Sequence, residues 1–276
     1  MKRTPSNNRF VLIFSVLLIV LLVGGSLLPL LGRFQSDRVS STTIATPSPT
    51  PQISPVSENT LEARAIGYES VLNREPDNKT ALQGLIEVRL EQGKLAEALP
   101  PLERLAQSHP QQPDYTILLA QAKEYVGDDE GAFQAYNRIL GINPGYLNAL
   151  QGMVALQLKN SRPERAIGLL QATLQTAAQA NAANPDSIDV DSVQMLLGRV
   201  YENQERYTEA IAVYDKIIEK NEDDFRPVWA KAEIFKQQGE IDKARPLYSR
   251  AVTLAPPKYK DQIKQLSEQL STNDEE

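Results

Sequence analysis

Apolar residues along this chain recur at i, i+3, i+4 and i+7 over stretches of about a dozen residues, and the stretches come in pairs. In VQMLLGRVYENQ (193–204) and YTEAIAVYDKIIEKN (207–221) one apolar stripe opposes a polar face, so the pattern predicts two amphipathic helices joined by a short turn. The pairs repeat with fixed internal offsets. Gly239 is followed by Ala244, Tyr248 and Pro256; Gly127 by Ala132, Tyr136 and Pro144; Gly93 by Ala98, Leu102 and Pro110. The glycines predict the left-handed residue that ends a first helix. The alanines predict a close approach of two helices, where a larger side chain overpacks at a cost of about 1–3 kcal/mol. Prolines separate one pair from the next.

Ala98, Ala132, Ala166, Ala210 and Ala244 stand 34, 34, 44 and 34 residues apart, and Pro76, Pro110 and Pro144 keep the 34-residue beat. A 34-residue helix-pair period with aromatic, Leu, Gly, Ala and Pro positions resembles the tetratricopeptide repeat (TPR) over roughly residues 60–258. The resemblance implies an all-α fold, a superhelical solenoid of antiparallel helix pairs. The phase places a half repeat at 59–76, where Tyr68 precedes Pro76 by eight residues, and full repeats at 79–112, 113–146, 147–190, 191–224 and 225–258. A capping helix follows at 259–271, with Tyr259, Ile263, Leu266 and Leu270 on one face, and then an acidic tail at 272–276. The ten extra residues of one repeat fall in LQTAAQANAANPDSIDV (174–190), which is expected to project as a longer helix and loop. Asp186, Asp189 and Asp191 in it lack the glycine and terminal glutamate of a calcium loop, and read as solvated acids and a helix cap.

Ahead of the repeats, FVLIFSVLLIVLLVGGSLLPLL (10–31) carries no charge. Its 22 residues, at about 1.5 Å each, reach across a bilayer core of about 30 Å, which predicts one transmembrane helix retained as an anchor. Its apolar run is longer than that of a cleaved signal peptide, and no Ala-x-Ala site follows. Lys2, Arg3 and Arg9 in the basic stretch 1–9 outnumber Arg33 and Arg38 beyond the span by one, a small bias for the N-terminus in the cytoplasm. The expectation is a single-pass membrane protein, of a plasma membrane or, as a resemblance given below implies, of a bacterial or cyanobacterial thylakoid membrane. Residues 32–58 are rich in Ser, Thr and Pro, including Pro47, Pro49, Pro51 and Pro55, and predict a disordered spacer rather than a docking peptide.

Composition then removes several functions. The chain has no cysteine, so thiolate zinc sites, disulfides and a Cys nucleophile are absent. Its net charge is −6 while residues 1–40 sum to +4, which leaves −10 for the remainder and argues against a nucleic-acid partner. The only histidine, His109, precedes Pro110 at a repeat junction, and no phosphate loop, metal-spaced cluster or nucleophile motif appears. No enzymatic activity, cofactor, metal or small-molecule substrate is therefore expected.

What the TPR resemblance implies instead is a concave face lined by the first helix of each repeat, fitted to a peptide or helix of another protein. In this register the candidates for contact with a partner are Gln83, Glu87, Leu90, Ile117, Leu118, Gln121, Tyr125, Gln151, Leu158, Met195, Leu196, Arg199, Trp229 and Glu233. Any apolar member has inter-helix core as its rival role, and Trp229 is either a partner anchor or a filler of the seam beside Phe225 and Phe235. The Lys/Asn/Arg clamp by which some TPRs hold chaperone tails is not matched, since Gln83, Glu87, Leu118, Asn148 and Gly152 stand at its positions. The wording of residues 193–263 is also loosely similar to cyanobacterial relatives of the plastid Slow Green proteins, which implies assembly of photosynthetic membrane complexes. The reading is a membrane-anchored TPR scaffold or adaptor for protein partners, with homo-oligomeric self-association as the alternative.

Overall fold

The structure is a computed structural model that describes residues 57–272, with side chains described through Glu268. The predicted span 10–31, the spacer up to residue 56 and the tail after residue 272 lie outside the described residues. Among the described residues every regular element is an α-helix, and no helix is long and apolar enough to cross a membrane. The chain divides into two compact units, with the boundary between Asp128 and Asp129.

The first unit holds α1 (Glu58–Leu72), α2 (Lys79–Glu91), α3 (Leu95–Ser108) and α4 (Pro113–Tyr125). The second holds α5 (Asp129–Ile142), α6 (Leu147–Lys159), α7 (Pro163–Ala183), α8 (Val190–Asn203), α9 (Tyr207–Lys220), α10 (Phe225–Gln237), α11 (Ile241–Leu254) and α12 (Pro257–Thr272). Three of the five first helices, α2, α8 and α10, start where a short polar side chain satisfies an orphan amide. Asn78 accepts from the Ala81 N–H at 3.0 Å, Asp189 from Ser192 at 3.0 Å and Asp224 from Arg226 at 2.9 Å.

The turn between the helices of a pair is built the same way five times. Gly93, Gly127 and Gly239 sit at φ 71°, 85° and 75°, and Ser161 and Glu205, at the same register, adopt 56° and 57°. Behind each, the next residue donates its N–H five residues back: Lys94 to Arg89, Asp128 to Lys123, Arg162 to Gln157, Arg206 to Tyr201 and Glu240 to Phe235, at 2.8–2.9 Å. This bond fixes the exit angle of the first helix whatever the side chain at the left-handed position.

Packing follows the small residues. Ala132, Ala166, Ala210 and Ala244 are fully buried, and Ala98 nearly so. A side chain at Gly84 would meet the Tyr68 ring at 2.3 Å, at Gly152 the Tyr136 ring at 2.3 Å, and at Gly198 the Tyr214 ring at 2.3 Å. The ring of a second helix thus occupies the volume that a first-helix side chain would fill. Leu118 stands sixteen residues after Leu102, the spacing that separates Gly84 from Tyr68 and Gly152 from Tyr136, and both leucines lie in one buried cluster with Leu82, Ile86 and Leu105. A leucine knob leaves room for a leucine opposite; a tyrosine knob demands glycine.

In the first unit, buried Arg89 on α2 reaches Glu62 (3.0 Å) and Glu69 (2.8 Å) on α1 and Glu97 (3.3 Å) on α3, tying three helices together. In the second, α12 closes one end. Ile263 is fully buried against Val228, Ala232, Ala244 and Tyr248, Leu266 packs beside it, and Tyr259 lies 5.3 Å from the Phe225 ring.

The segment 174–190 does not project as the sequence suggested. It lengthens α7 to 21 residues, but the loop after it folds down. Ile188 is buried, and the Asn181 side chain donates to its carbonyl (2.9 Å) and accepts from its amide (2.8 Å). A Cβ on Gly145 would stand 2.3 Å from the Ser187 carbonyl oxygen. The apolar Ile188 and the two-way Asn181 clamp together draw the extra residues against the α5–α6 turn. Asp189 caps α8 and Asp191 pairs with Lys220 at 2.8 Å.

Gly152→Ala is expected to lower stability by about 1–3 kcal/mol through overpacking on the buried Tyr136 ring. Gly168→Ala, on an exposed face of α7 where nothing lies within 4 Å, is expected to gain about 0.5–1 kcal/mol from helix propensity. Denaturant unfolding of both variants checks the opposite signs.

Candidate functional site

The first helices α2 and α4 carry seven of the candidate side chains in the first unit, and α6, α8 and α10 carry the other seven in the second. In the first unit, Gln83 donates to the Tyr115 hydroxyl at 3.0 Å; Lys79 stands over the Tyr115 ring and His109 meets its edge at 5.9 Å. Glu87, Leu90 and Gln121 are half-buried, Leu90 against the core, while Tyr125 is 48% exposed. Ile117 and Leu118 are 7% and 2% exposed, which favours the inter-helix core role that the sequence left open for the apolar candidates. Leu118 belongs to the α2–α4 core for the volume reason given above, and Ile117 keeps almost no surface to offer.

In the second unit, Gln151, Met195, Leu196 and Arg199 come together. With Leu147, Ser192 and Arg226 they line a cavity of about 180 Å³ contributed by α6, α8 and α10. Met195 is buried and forms floor rather than rim, together with half-buried Leu147 and Leu196. Arg226 is already engaged: Asp224, whose carboxylate is buried, accepts from its Nε at 2.9 Å and its Nη2 at 2.7 Å, and its Nη1 reaches the Ser192 hydroxyl at 3.4 Å. Burial alone would raise the Asp189 carboxyl, but the Ser192 hydroxyl and amide, with Arg226 nearby, hold it below its ordinary value. Arg199 is exposed and makes no hydrogen bond or ion pair among the described residues. Leu158 lies farther along α6, half-buried.

Trp229 and Glu233 form a second arrangement, on α10. The indole packs against the Val228–Tyr248 core with part of its surface open, and its Nε1 donates to Glu233 at 3.1 Å. The Tyr248 hydroxyl donates to the same carboxylate oxygen at 2.6 Å. Glu233 is thus an internal acceptor, and Trp229 fills the α10–α11 seam while keeping an exposed edge.

Glu202 was missed by the sequence reading, although it stands one helical turn after Arg199. Burial pushes its carboxyl above the ordinary range; the Tyr214 hydroxyl and Arg199 pull it down, and the Glu233 charge adds to the rise. The Tyr214 hydroxyl, wholly buried, lies against this carboxyl without a well-formed hydrogen bond, and burial together with Glu202 pushes it far up. Among the described residues no group of His, Cys, Asp or Glu is arranged to hold a metal ion.

Two tetratricopeptide repeat family models match the sequence, one over residues 59–122 and one over residues 195–259. Residues 59–122 and 195–259 carry tetratricopeptide repeats. Solved structures of similar fold include yeast Tom70, at 13% identity over 76% of this chain and 43% of that one, with a TM-score of 0.52. A TPR protein of Parabacteroides merdae matches at 18% identity over 79% of this chain and 85% of its own, TM-score 0.47. A thermophilic TPR protein of Thermus thermophilus matches at 20% identity, 78% and 100% coverage, and TM-score 0.43. Identities this low concern the fold alone. No curated protein matches the sequence, and the likeness to Slow Green proteins gains no support from these comparisons.

A carboxyl raised by folding stabilises most below its unfolded value of about 4.3, and that contribution fades as pH rises through the folded value. Glu202→Gln is therefore expected to raise Tm at pH 7.5, to leave it unchanged at pH 4, and to flatten the decline between them. Thermal unfolding of both proteins across that range reads the difference.

Proposed function

We propose that this TPR chain is a protein-binding scaffold whose first-helix faces take up a segment of a partner protein, with residues 10–31 anchoring it to a membrane and residues 32–58 spacing the repeats from it. TPR architecture is suited to protein–protein interaction. The observation that carries the reading is the incomplete cover of Leu90, Tyr125, Leu158, Leu196 and Trp229, all first-helix residues, beside polar side chains such as Gln121 and Gln151. Apolar surface framed by polar groups is what a docked helix or extended peptide covers. The charge-free length of residues 10–31 supports the anchor, and an anchor raises the local concentration of the repeats near partners in the same membrane.

The test is a crosslinked pull-down of the full-length tagged protein from its native membrane. Tyr125→Glu combined with Leu158→Glu, in a variant that keeps its helical circular dichroism, is expected to reduce the co-purified partners about tenfold, the scale of a lost interface contact. Ala172→Lys, on the exposed face of the second helix α7, is expected to leave them in place. Partners retained by the double variant overturn the first-helix reading; a protein that stays in the membrane fraction after deletion of residues 1–35 overturns the anchor.

A further inference from the structure

The five full repeats place Glu87, Gln121, Ala155, Arg199 and Glu233 at one register of their first helices, so a cation at this position is particular to the repeat 191–224. The structure puts that cation on the rim of the cavity of about 180 Å³ in the second unit. Resting on the first-helix reading above, we propose that this cavity is a subsite for an acidic–aliphatic pair in the partner: a Leu, Ile or Met side chain fills it, and a neighbouring Asp or Glu carboxylate closes on Arg199.

The floor settles the first half. Leu147, Met195 and Leu196 offer no hydrogen bond to the waters that fit there, at about 30 Å³ each. An aliphatic side chain that replaces them removes apolar surface on both partners from water, at roughly 25 cal/mol per Å². The polar groups on the walls do not compete for that volume, since the Ser192 hydroxyl donates to Asp189 at 2.6 Å and Arg226 is held in the plane of Asp224.

Charge settles the second half. Of the two guanidinium groups at the cavity, Arg226 is neutralised by Asp224, whereas Arg199 is exposed and unpaired among the described residues. Glu202, one turn away, feels the Arg199 charge, but no ion pair joins the two among the described residues. A fork of N–H donors left open beside an apolar floor matches a planar carboxylate, which it can bind through two parallel hydrogen bonds. The excess of acid over base after residue 40 opposes a phosphate backbone as the source of the anion. The occupant is an internal stretch of chain: Trp229, one turn beyond Arg226 on α10, extends the partly open face past the cavity, so the carboxylate is a side chain and not a chain end.

Panning a random peptide library on the full-length protein in detergent, followed by fluorescence anisotropy of enriched peptides made with amidated C-termini, tests this. The expected consensus places Asp or Glu within two positions of Leu, Ile or Met. Such a peptide should bind at least about tenfold more weakly to Arg199→Glu and to the cavity-filling Leu196→Trp. Replacing its acid by Lys should restore binding to Arg199→Glu. Because the Arg199 charge also eases ionisation of Glu202, binding is compared at a temperature where helical circular dichroism shows that Arg199→Glu stays folded. A consensus without an acid, equal binding to Arg199→Glu, loss of binding on amidation, or no enriched peptide overturns the subsite. Peptides weakened by Leu158→Glu but indifferent to Arg199→Glu sink the subsite alone; peptides indifferent to both sink the first-helix reading with it.

Discussion

The helix pairs described in this protein lean on a steric exchange between neighbouring helices. A tyrosine ring from a second helix occupies the space above Gly84, Gly152 or Gly198, and alanines hold the remaining close approaches. An interior packed to crystal density allows no spare volume, so the exchange is strict and fixes how each pair nests. It also has an electrostatic consequence. A tyrosine carries its hydroxyl inward with its ring, and a buried hydroxyl needs an acceptor. Tyr248 finds Glu233, and Tyr214 lies against Glu202. The carboxylates on the inner face of α8 and α10 are thus tied to the packing device, which is why Glu233, outwardly a partner-facing acid, spends its oxygen on Tyr248 and Trp229.

The period of 34 made the fold legible because it fixes residue types at contact positions, and contact positions decide how helices pack. The turns were only partly legible. Glycine marks three of the five left-handed positions, and nothing in the sequence singles out Ser161 or Glu205. A non-glycine residue pays roughly 1–2 kcal/mol there. The bond from the following amide to the carbonyl five residues back imposes that conformation in all five turns, so backbone closure and not side-chain preference decides. The family models match residues 59–122 and 195–259, yet Ala132, Ala166 and the turn at Ser161, between the two matches, repeat the same geometry.

The register of the first-helix face was legible in the sequence, and the internal partners of its side chains were not. Register alone puts Leu118 beside Gln121 on the inner face; only knowing that Leu102, and not a tyrosine, stands opposite reveals that Leu118 is needed to fill the core. Likewise the sequence shows Arg199 and Arg226 as equals, while Asp224, the cap of α10, takes one of them out of play. The segment 174–190 misled for a similar reason. Its length suggested a projection, and the clamp that pulls it down, Asn181 on the Ile188 backbone, has no periodic signature.

A division of labour follows from these constraints. Rings, small residues and turn closure determine the backbone of each pair, so a first-helix position that meets none of them is free to vary without disturbing the fold. The register of Glu87, Gln121, Ala155, Arg199 and Glu233 shows the range, running from acid through amide and methyl to guanidinium. Where such a position is recruited by packing, as Glu233 is, its chemistry is absorbed by the protein. Where it is not, as at Arg199, its charge remains available at the surface. On the proposed function, specificity resides in the few face residues that the tyrosine rings leave unclaimed, and those are found by subtracting the packing and hydrogen-bond partners from the periodic pattern.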